Sequence, residues 1–314
     1  MNTSEKMKFA VIGAGGVGGY FGGKLAQAGH PVTFIARGTT LKAIRSGGLR
    51  VDSLKGDFHI YPTAVTADPM EVGPVDVILV AVKAWQVANV APTIHPMMGP
   101  NTLVIPLQNG VEARDTLASF IDAASVIGGF CRIFSRIVAP GHIQHFAIEP
   151  TVLVGEWQGG NSERIDRLVH TMQAADISTN ESDDIQAKLW EKFLLITPMS
   201  GIGAITRVPV GEYRKHEETR AMLTEAMTEV VRVGRGLGVT FSENAVERTM
   251  GFIDNLPADA TASMQRDLME GRPSELEFQN GAVVRLGKKA GIAVPLNTFI
   301  YHALLPMERR TRSS

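Results

Sequence analysis

Lys192 stands in an apolar run, Phe193-Leu194-Leu195-Ile196, within the stretch "KLWEKFLLITPMSG" (188–201). Lysine is rarely buried without a partner, so its position has two readings. Its stem covers apolar surface while the ammonium reaches water, or it is a catalytic ammonium at a domain junction. A second group of residues has the spacing to hold phosphate. Gly13-Ala14-Gly15-Gly16-Val17-Gly18 is a G-x-G-x-x-G that follows an apolar stretch and precedes a helix-like one. There Gly13 permits the tight turn, Gly15 lets a pyrophosphate approach the backbone, and Gly18 lets helix and strand pack closely. The free N–H groups at the helix start then face the phosphates.

The elements that must position these groups change character along the chain. Continuous Val/Ile runs, the mark of parallel strands buried on both faces, occur at 8–13, 31–36, 75–82, 102–108 and 125–131. Helix-like segments at 17–28, 38–46, 84–94 and 112–119 lie between them. This alternation predicts an α/β, Rossmann-type doubly wound sheet. Residues 141–157 read as a strand pair, with Gly141 and Glu149-Pro150 as turns. Beyond about residue 183 every periodic segment is helical. The last of these opens on a capping box, Ser274 with Glu277, and stops at Gly291 with Pro295 beyond. The expected division is a dinucleotide-binding domain over 1–182 and an all-helical domain over 183–314.

The second strand should end at Phe34-Ile35-Ala36-Arg37-Gly38. A site for NAD(H) places a carboxylate there to hold the ribose 2′-hydroxyl. This chain has none, and Arg37 can fork onto a 2′-phosphate, which points to NADP(H). A solvent-facing arginine at a loop start is the plainer reading of the same residue.

The bulk composition narrows the field further. In 314 residues, 31 basic side chains stand against 32 acidic ones, a formal charge of −1. With no basic stripe or tail, nucleic acid and acidic membranes are poor partners. Cys131 is the single cysteine and the histidines show no H-x-x-x-H spacing, so no metal site is expected. The N-terminus lacks the pattern of a signal peptide, and no run is long and apolar enough to span a bilayer. A cytoplasmic protein is expected, with residues 1–6 a dispensable leader.

Further segments carry a family likeness. "VAVKAWQV" places Lys83 just past the third strand, and "IPLQNGVE" places Asn109 at the carboxyl edge of the sheet, where ligands of such sheets bind. Together with "KLWEKF" and "SMQRDLMEGRPSELEFQNGAVVRLGKKAGIAVP", the chain from Phe9 to about Leu305 resembles the ketopantoate reductases (2-dehydropantoate 2-reductases). The resemblance implies a Rossmann domain joined to a helical domain, with the active site in the cleft between. It implies NADPH-dependent reduction of a 2-oxo acid to a 2-hydroxy acid, ketopantoate to pantoate in pantothenate biosynthesis, and a possible homodimer. Carried over by position, Lys192 matches the catalytic lysine and Glu275 a glutamate of the substrate cleft with a catalytic part. Ser263 matches a substrate-binding serine. Asn109 and Lys83 match cofactor contacts, Asn109 also lying toward the substrate, and Arg37 matches the 2′-phosphate contact.

Each assignment has a plain structural alternative. Glu275 follows the cap Ser274 and suits a helix dipole, Ser263 suits a helix start, Asn109 before Gly110 is turn chemistry, and Lys83 could be a solvated strand-end lysine. The chain also departs from the family pattern. Four and eight residues after the lysine, well-known members carry asparagines lining the substrate cleft, where this chain has Ile196 and Ser200. Ser200 keeps a hydroxyl for the substrate, whereas Ile196 offers no hydrogen bond. Pro198 between them removes a backbone donor and can kink the helix. A bulkier or more apolar 2-oxo acid is therefore an open alternative to ketopantoate, and a non-catalytic NADPH sensor is the alternative outside enzymes.

Overall fold

Residues 6–313 are described by a computed structural model of the chain. The expected leader thus lies, apart from Lys6, outside the described residues. Two compact units form, one from the chain up to Gln108 together with Ala113–Ile185, the other from Asn109–Glu112 together with Gln186 onward.

The first unit holds β1 (Phe9–Ile12), α1 (Gly16–Gln27), β2 (Val32–Ile35), α2 (Gly38–Gly47), β3 (Leu49–Ser53), β4 (Phe58–Ile60), β5 (Ala64–Thr66) and β6 (Val77–Val80). It continues through α3 (Val87–Val90), β7 (Leu103–Pro106), α4 (Ala113–Ala118), β8 (Gly128–Ala139), β9 (His142–Gly155), α5 (Glu163–Ala174) and β10 (Ser178–Glu181). Five strands pair in the order β5-β2-β1-β6-β7, all parallel. β1, β6 and β7 are buried at every position, as their unbroken apolar runs require. Apolar clusters cover both faces of this sheet, Val11, Leu79 and Ile105 on one side and Ile12, Ile78 and Val104 on the other.

Three expectations are corrected here. The 125–131 stretch holds to the parallel sheet only through a single bridge, Val126 beside Val104 of β7. From Gly128 it becomes β8, which pairs antiparallel with β9 in a second sheet, and the fifth parallel strand is the short β5. Glu149-Pro150 is not a turn either, because β9 runs through it. The chain kinks just before, at Ile148 with φ 32°, and Pro150 is buried. β9 has partners along its whole length: β3 beside His142–His145, β10 beside Thr151–Val154, and β8 across the other edge. Those ladders outweigh the local turn signal. The segment expected as one helix over 84–94 is broken into single turns of 3-10 and α geometry.

The second unit is helical: α6 (Ile185–Thr206), α7 (Val210–Tyr213), α8 (Glu217–Gly236), α9 (Ala245–Asp254), α10 (Ser263–Met269), α11 (Asn280–Ala290) and α12 (Pro295–Ser313). α6 continues through Pro198. Gly291, at φ 69°, ends α11 as expected. Pro295 does not mark an end but opens α12, where its missing N–H costs nothing. The expected capping box does not form. Ser274 Oγ donates to Glu308 Oε2 at 2.6 Å and accepts from Leu276 N at 3.2 Å, while Glu277 takes the Tyr301 hydroxyl instead. A 3-10 turn over Leu276–Phe278 precedes α11, which starts at Asn280.

Candidate functional site

In the first unit the parallel sheet sets the geometry. Ile12 aligns with Ile35 on one side and with Val80 on the other, so Gly13, Ala36 and Ala81 leave the sheet side by side. The chain order reverses between β1 and β6, the crevice where ligands of such sheets bind. Gly13, at φ 101°, makes the turn, and α1 begins at Gly16 with Gly15 as its extended cap. The first intrahelical bond is from Gly19 N to Gly15 O, at 2.8 Å. The N–H groups of Gly16, Val17 and Gly18 ahead of it have no intrahelical acceptor, as helix geometry demands. Gly18 is where α1 meets β1: a Cβ there would stand 2.1 Å from Gly13 O. No side chain fits, and this closeness keeps the helix start directly beyond the strand end.

Arg37 caps α2 at the end of β2 with an extended backbone, and its side chain is exposed. Its guanidinium has no hydrogen-bond or ion-pair partner among the described residues. Lys83 is exposed too, its ammonium 5.7 Å from the centre of the Trp85 ring. The donor-lined turn at the end of β1 and the exposed Arg37 and Lys83 are the groups of this unit that could hold a dinucleotide.

Two contributors went unread in the sequence. Gln108 is buried, and its Nε2 donates to Val80 O at 2.8 Å and Val82 O at 2.9 Å, which fixes the turn carrying Lys83. Ser135 of β8 lies over the glycine-rich turn, its Oγ 2.6 Å from where a Cβ on Gly16 would be. The glutamine stood within the quoted "IPLQNGVE". The serine had no signal, since only the β8–β9 pairing brings it to the loop.

In the second unit Asn109 meets Glu275. Asn109 Nδ2 donates to Glu275 Oε2 at 2.9 Å. Glu275 is 5 % exposed and opens the 3-10 turn, its carbonyl accepting from Phe278 N and Gln279 N. Its Oε1 has no hydrogen-bond partner among the described residues. Lys192, 9 % exposed, and Ser200, 1 % exposed, both lie on α6. The helical period puts Ile196 and Met199 on the lysine's own face with Ser200 at its flank, and Ile196 and Met199 are half-buried. Gly203, further along that face, packs against the buried amide of Gln265 on α10. Ser263 opens α10 and is exposed, and its hydroxyl bonds no described residue. Thr197 Oγ1 is buried with no hydrogen-bond partner among the described residues.

No helix among the described residues is long and apolar enough to cross a membrane. No group of three or more potential metal ligands converges among them.

Residues 9–159 match the family described as ketopantoate reductase PanE/ApbA, and 184–308 match its C-terminal family. A 2-dehydropantoate 2-reductase of Mesorhizobium japonicum is 31% identical over 303 residues, covering 90% of this chain and 92% of its own. The crystal structure of a PanE/ApbA family ketopantoate reductase from Ralstonia eutropha JMP134 superposes with a TM-score of 0.88 at 30% identity, covering 98% of this chain and 100% of its own. A D-mandelate dehydrogenase solved with NADH and anilino(oxo)acetate shares the fold, with a TM-score of 0.86 at 23% identity, covering 98% of this chain and 99% of its own. A glycine-rich turn on a parallel sheet, a helical unit with a buried lysine, and family matches across both parts lead to one conclusion: the chain belongs to the ketopantoate reductase PanE/ApbA family of oxidoreductases.

Proposed function

We propose that this protein reduces a 2-oxo acid to the 2-hydroxy acid with NADPH, and that the substrate is 2-dehydropantoate, giving pantoate for pantothenate biosynthesis. The observation that carries the reading is Lys192, 9 % exposed on the apolar helix α6 of a chain whose two parts both match the ketopantoate reductase family. A positioned ammonium stabilises the charge that grows on a carbonyl oxygen as it becomes an alkoxide.

The nicotinamide, when bound, supplies the hydride. Lys192 Nζ gives its proton to the carbonyl oxygen as that oxygen gains charge, and takes another from solvent afterwards. The balance is one 2-oxo acid, one NADPH and one proton in, one 2-hydroxy acid and one NADP⁺ out. Glu275, with Oε2 held by Asn109, accepts a substrate hydroxyl at Oε1. Ser200 and Ser263 offer hydroxyls to the substrate carboxylate. In the first unit, Gly13–Gly18 hold the pyrophosphate, Arg37 holds the 2′-phosphate, and Lys83 contributes charge beside the cofactor.

A second reading rests on Ile196 and Met199, which make the face around Lys192 apolar. It keeps the chemistry and moves the substrate to a 2-oxo acid with a larger apolar group. The test is NADPH oxidation by the purified protein with 2-dehydropantoate and a panel of aryl and branched 2-oxo acids. Efficient turnover of 2-dehydropantoate is the expected result. Turnover of the bulkier acids alone would support the second reading. NADPH binding without turnover of any of them would overturn both and point to a cofactor sensor.

A further inference from the structure

The four residues Asn109–Glu112 leave the first unit for the second, and the chain returns at Ala113. Each of the four docks by a different contact. Asn109 donates to Glu275. Gly110, at φ 96°, brings its backbone so near the Phe278 carbonyl that a Cβ would stand 2.8 Å from that oxygen. Val111 is buried in the apolar core of the second unit, in one cluster with Leu276. Glu112 Oε2 accepts from Arg285 NH2 at 2.7 Å.

Arg285 does more than pair with Glu112. Its NH2 also donates to the Glu277 carbonyl at 2.9 Å, and its NH1 meets the Glu277 carboxylate. The other Glu277 oxygen accepts the Tyr301 hydroxyl at 2.5 Å. That phenol is pushed up to about 12 by burial and by Glu277, so it remains a donor throughout the working range. One planar guanidinium thus joins the segment that carries Asn109 to the segment that carries Glu275. Exposed ion pairs contribute little to stability. This one spans two loops that share a functional contact, so its effect falls on geometry.

We propose that Arg285 is a positioning residue: by clamping Glu112 to Glu277 it sets Asn109 and Glu275 at hydrogen-bond distance for the reaction. The proposal rests on the reductase reading for its kinetic arm, and on the loop geometry alone for its structural arm. Misplacing a positioned group by about 1 Å can cost on the order of 100-fold in rate.

The experiment compares wild type, Arg285→Met, Arg285→Lys, Asn109→Ala and the Arg285→Met/Asn109→Ala pair. It reads kcat and KM, and hydrogen exchange of the 109–112 amides in the free protein. Arg285→Met is expected to lower kcat/KM by about 10- to 100-fold and to speed exchange at 109–112 while leaving α8 and α9 protected. In the Asn109→Ala background the same change should cost under about twofold, because the group being positioned is gone. Arg285→Lys should recover part of the loss, since an ammonium can replace one arm of the fork but not both. Wild-type kcat/KM in Arg285→Met, or an equal loss in both backgrounds, would overturn the proposal. A wild-type protein that reduces no 2-oxo acid would sink the reductase reading, and the exchange arm would then decide the clamp: unchanged protection at 109–112 overturns it.

Discussion

Gly18→Ala gives the sharpest test of how the glycine-rich turn is built and of its proposed hold on the pyrophosphate. The added methyl would stand 2.1 Å from Gly13 O, 2.9 Å from Ala81 Cβ and 2.9 Å from Val11 Cγ1. None of these is the far end of a flexible side chain, so the start of α1 must move off β1 by about 1 Å to restore ordinary contact. Overpacking of this kind costs up to ~3 kcal/mol, and the better helix propensity of alanine returns up to ~1 kcal/mol. The net loss of ~2 kcal/mol should lower Tm by about 4–8 °C for a unit of this size. The same movement withdraws the N–H groups from the pyrophosphate, so NADPH should bind at least about tenfold more weakly. Gly47→Ala is the control: it lies at the exposed end of α2, and a Cβ there meets nothing within 4 Å. It should raise stability by ~0.4–1 kcal/mol through the unfolded chain. Differential scanning fluorimetry of the free protein and NADPH titration by fluorescence read both variants. Gly18→Ala melting at or above wild type, with unchanged NADPH affinity, would refute the close-approach argument.

Lys192→Met should cut kcat by about 10²- to 10⁴-fold and leave the NADPH Kd within about twofold; a kcat within tenfold of wild type removes the lysine as proton donor. Arg37→Ala should weaken NADPH by roughly 10- to 100-fold, the worth of a charge-assisted bond, with NADH unchanged, and equal losses for both would dismiss the 2′-phosphate contact. Glu156 has its carboxyl held below its ordinary value of 4.5 by the Arg164 guanidinium, against the opposing effect of burial, with further help from the Ser162 hydroxyl. Because its folded pKa is depressed, its contribution is complete above 4.5 and is lost as the pH falls through the folded value. Glu156→Gln should therefore lower Tm at pH 6 and converge with wild type in more acid buffer; a gap that stays constant down to pH 3 would show the group is not linked to folding.

Much of the first unit was legible because both faces of β1, β6 and β7 are buried, which writes unbroken apolar runs into the chain. The turn between β1 and α1 was legible for a related reason, since its backbone demands glycine at Gly13 and Gly18. β8 was harder. Its first four residues are buried and apolar like a parallel strand, but from Arg132 onward exposed positions recur, and only the pairing with β9 says which sheet it joins. Glu149-Pro150 has the local chemistry of a turn, yet ladders to β3, β8 and β10 carry the strand past it. Ser274 with Glu277 met the spacing of a capping box, but each side chain found a better partner on α12, at Glu308 and Tyr301. That helix was itself obscured by Pro295, which terminates or starts a helix according to the side from which it is read. Lys192 drew notice by its place in an apolar run, whereas Ser200, Glu275 and Asn109 became candidates through family resemblance. Spacing alone could not have joined Asn109 to Glu275, because their hydrogen bond closes a loop of about half the chain.

The excursion of Asn109–Glu112 bears on inheritance. The chain changes unit after Gln108, again after Glu112, and once more after Ile185, so its two halves are not modules that a single crossover could exchange. A chimaera joined at 185/186 would take Glu112 from one parent and Arg285 from the other. Positions 112 and 285 should accordingly change as a pair among relatives, and a crossover that splits them should yield a folded but sluggish enzyme until the matching residue is restored.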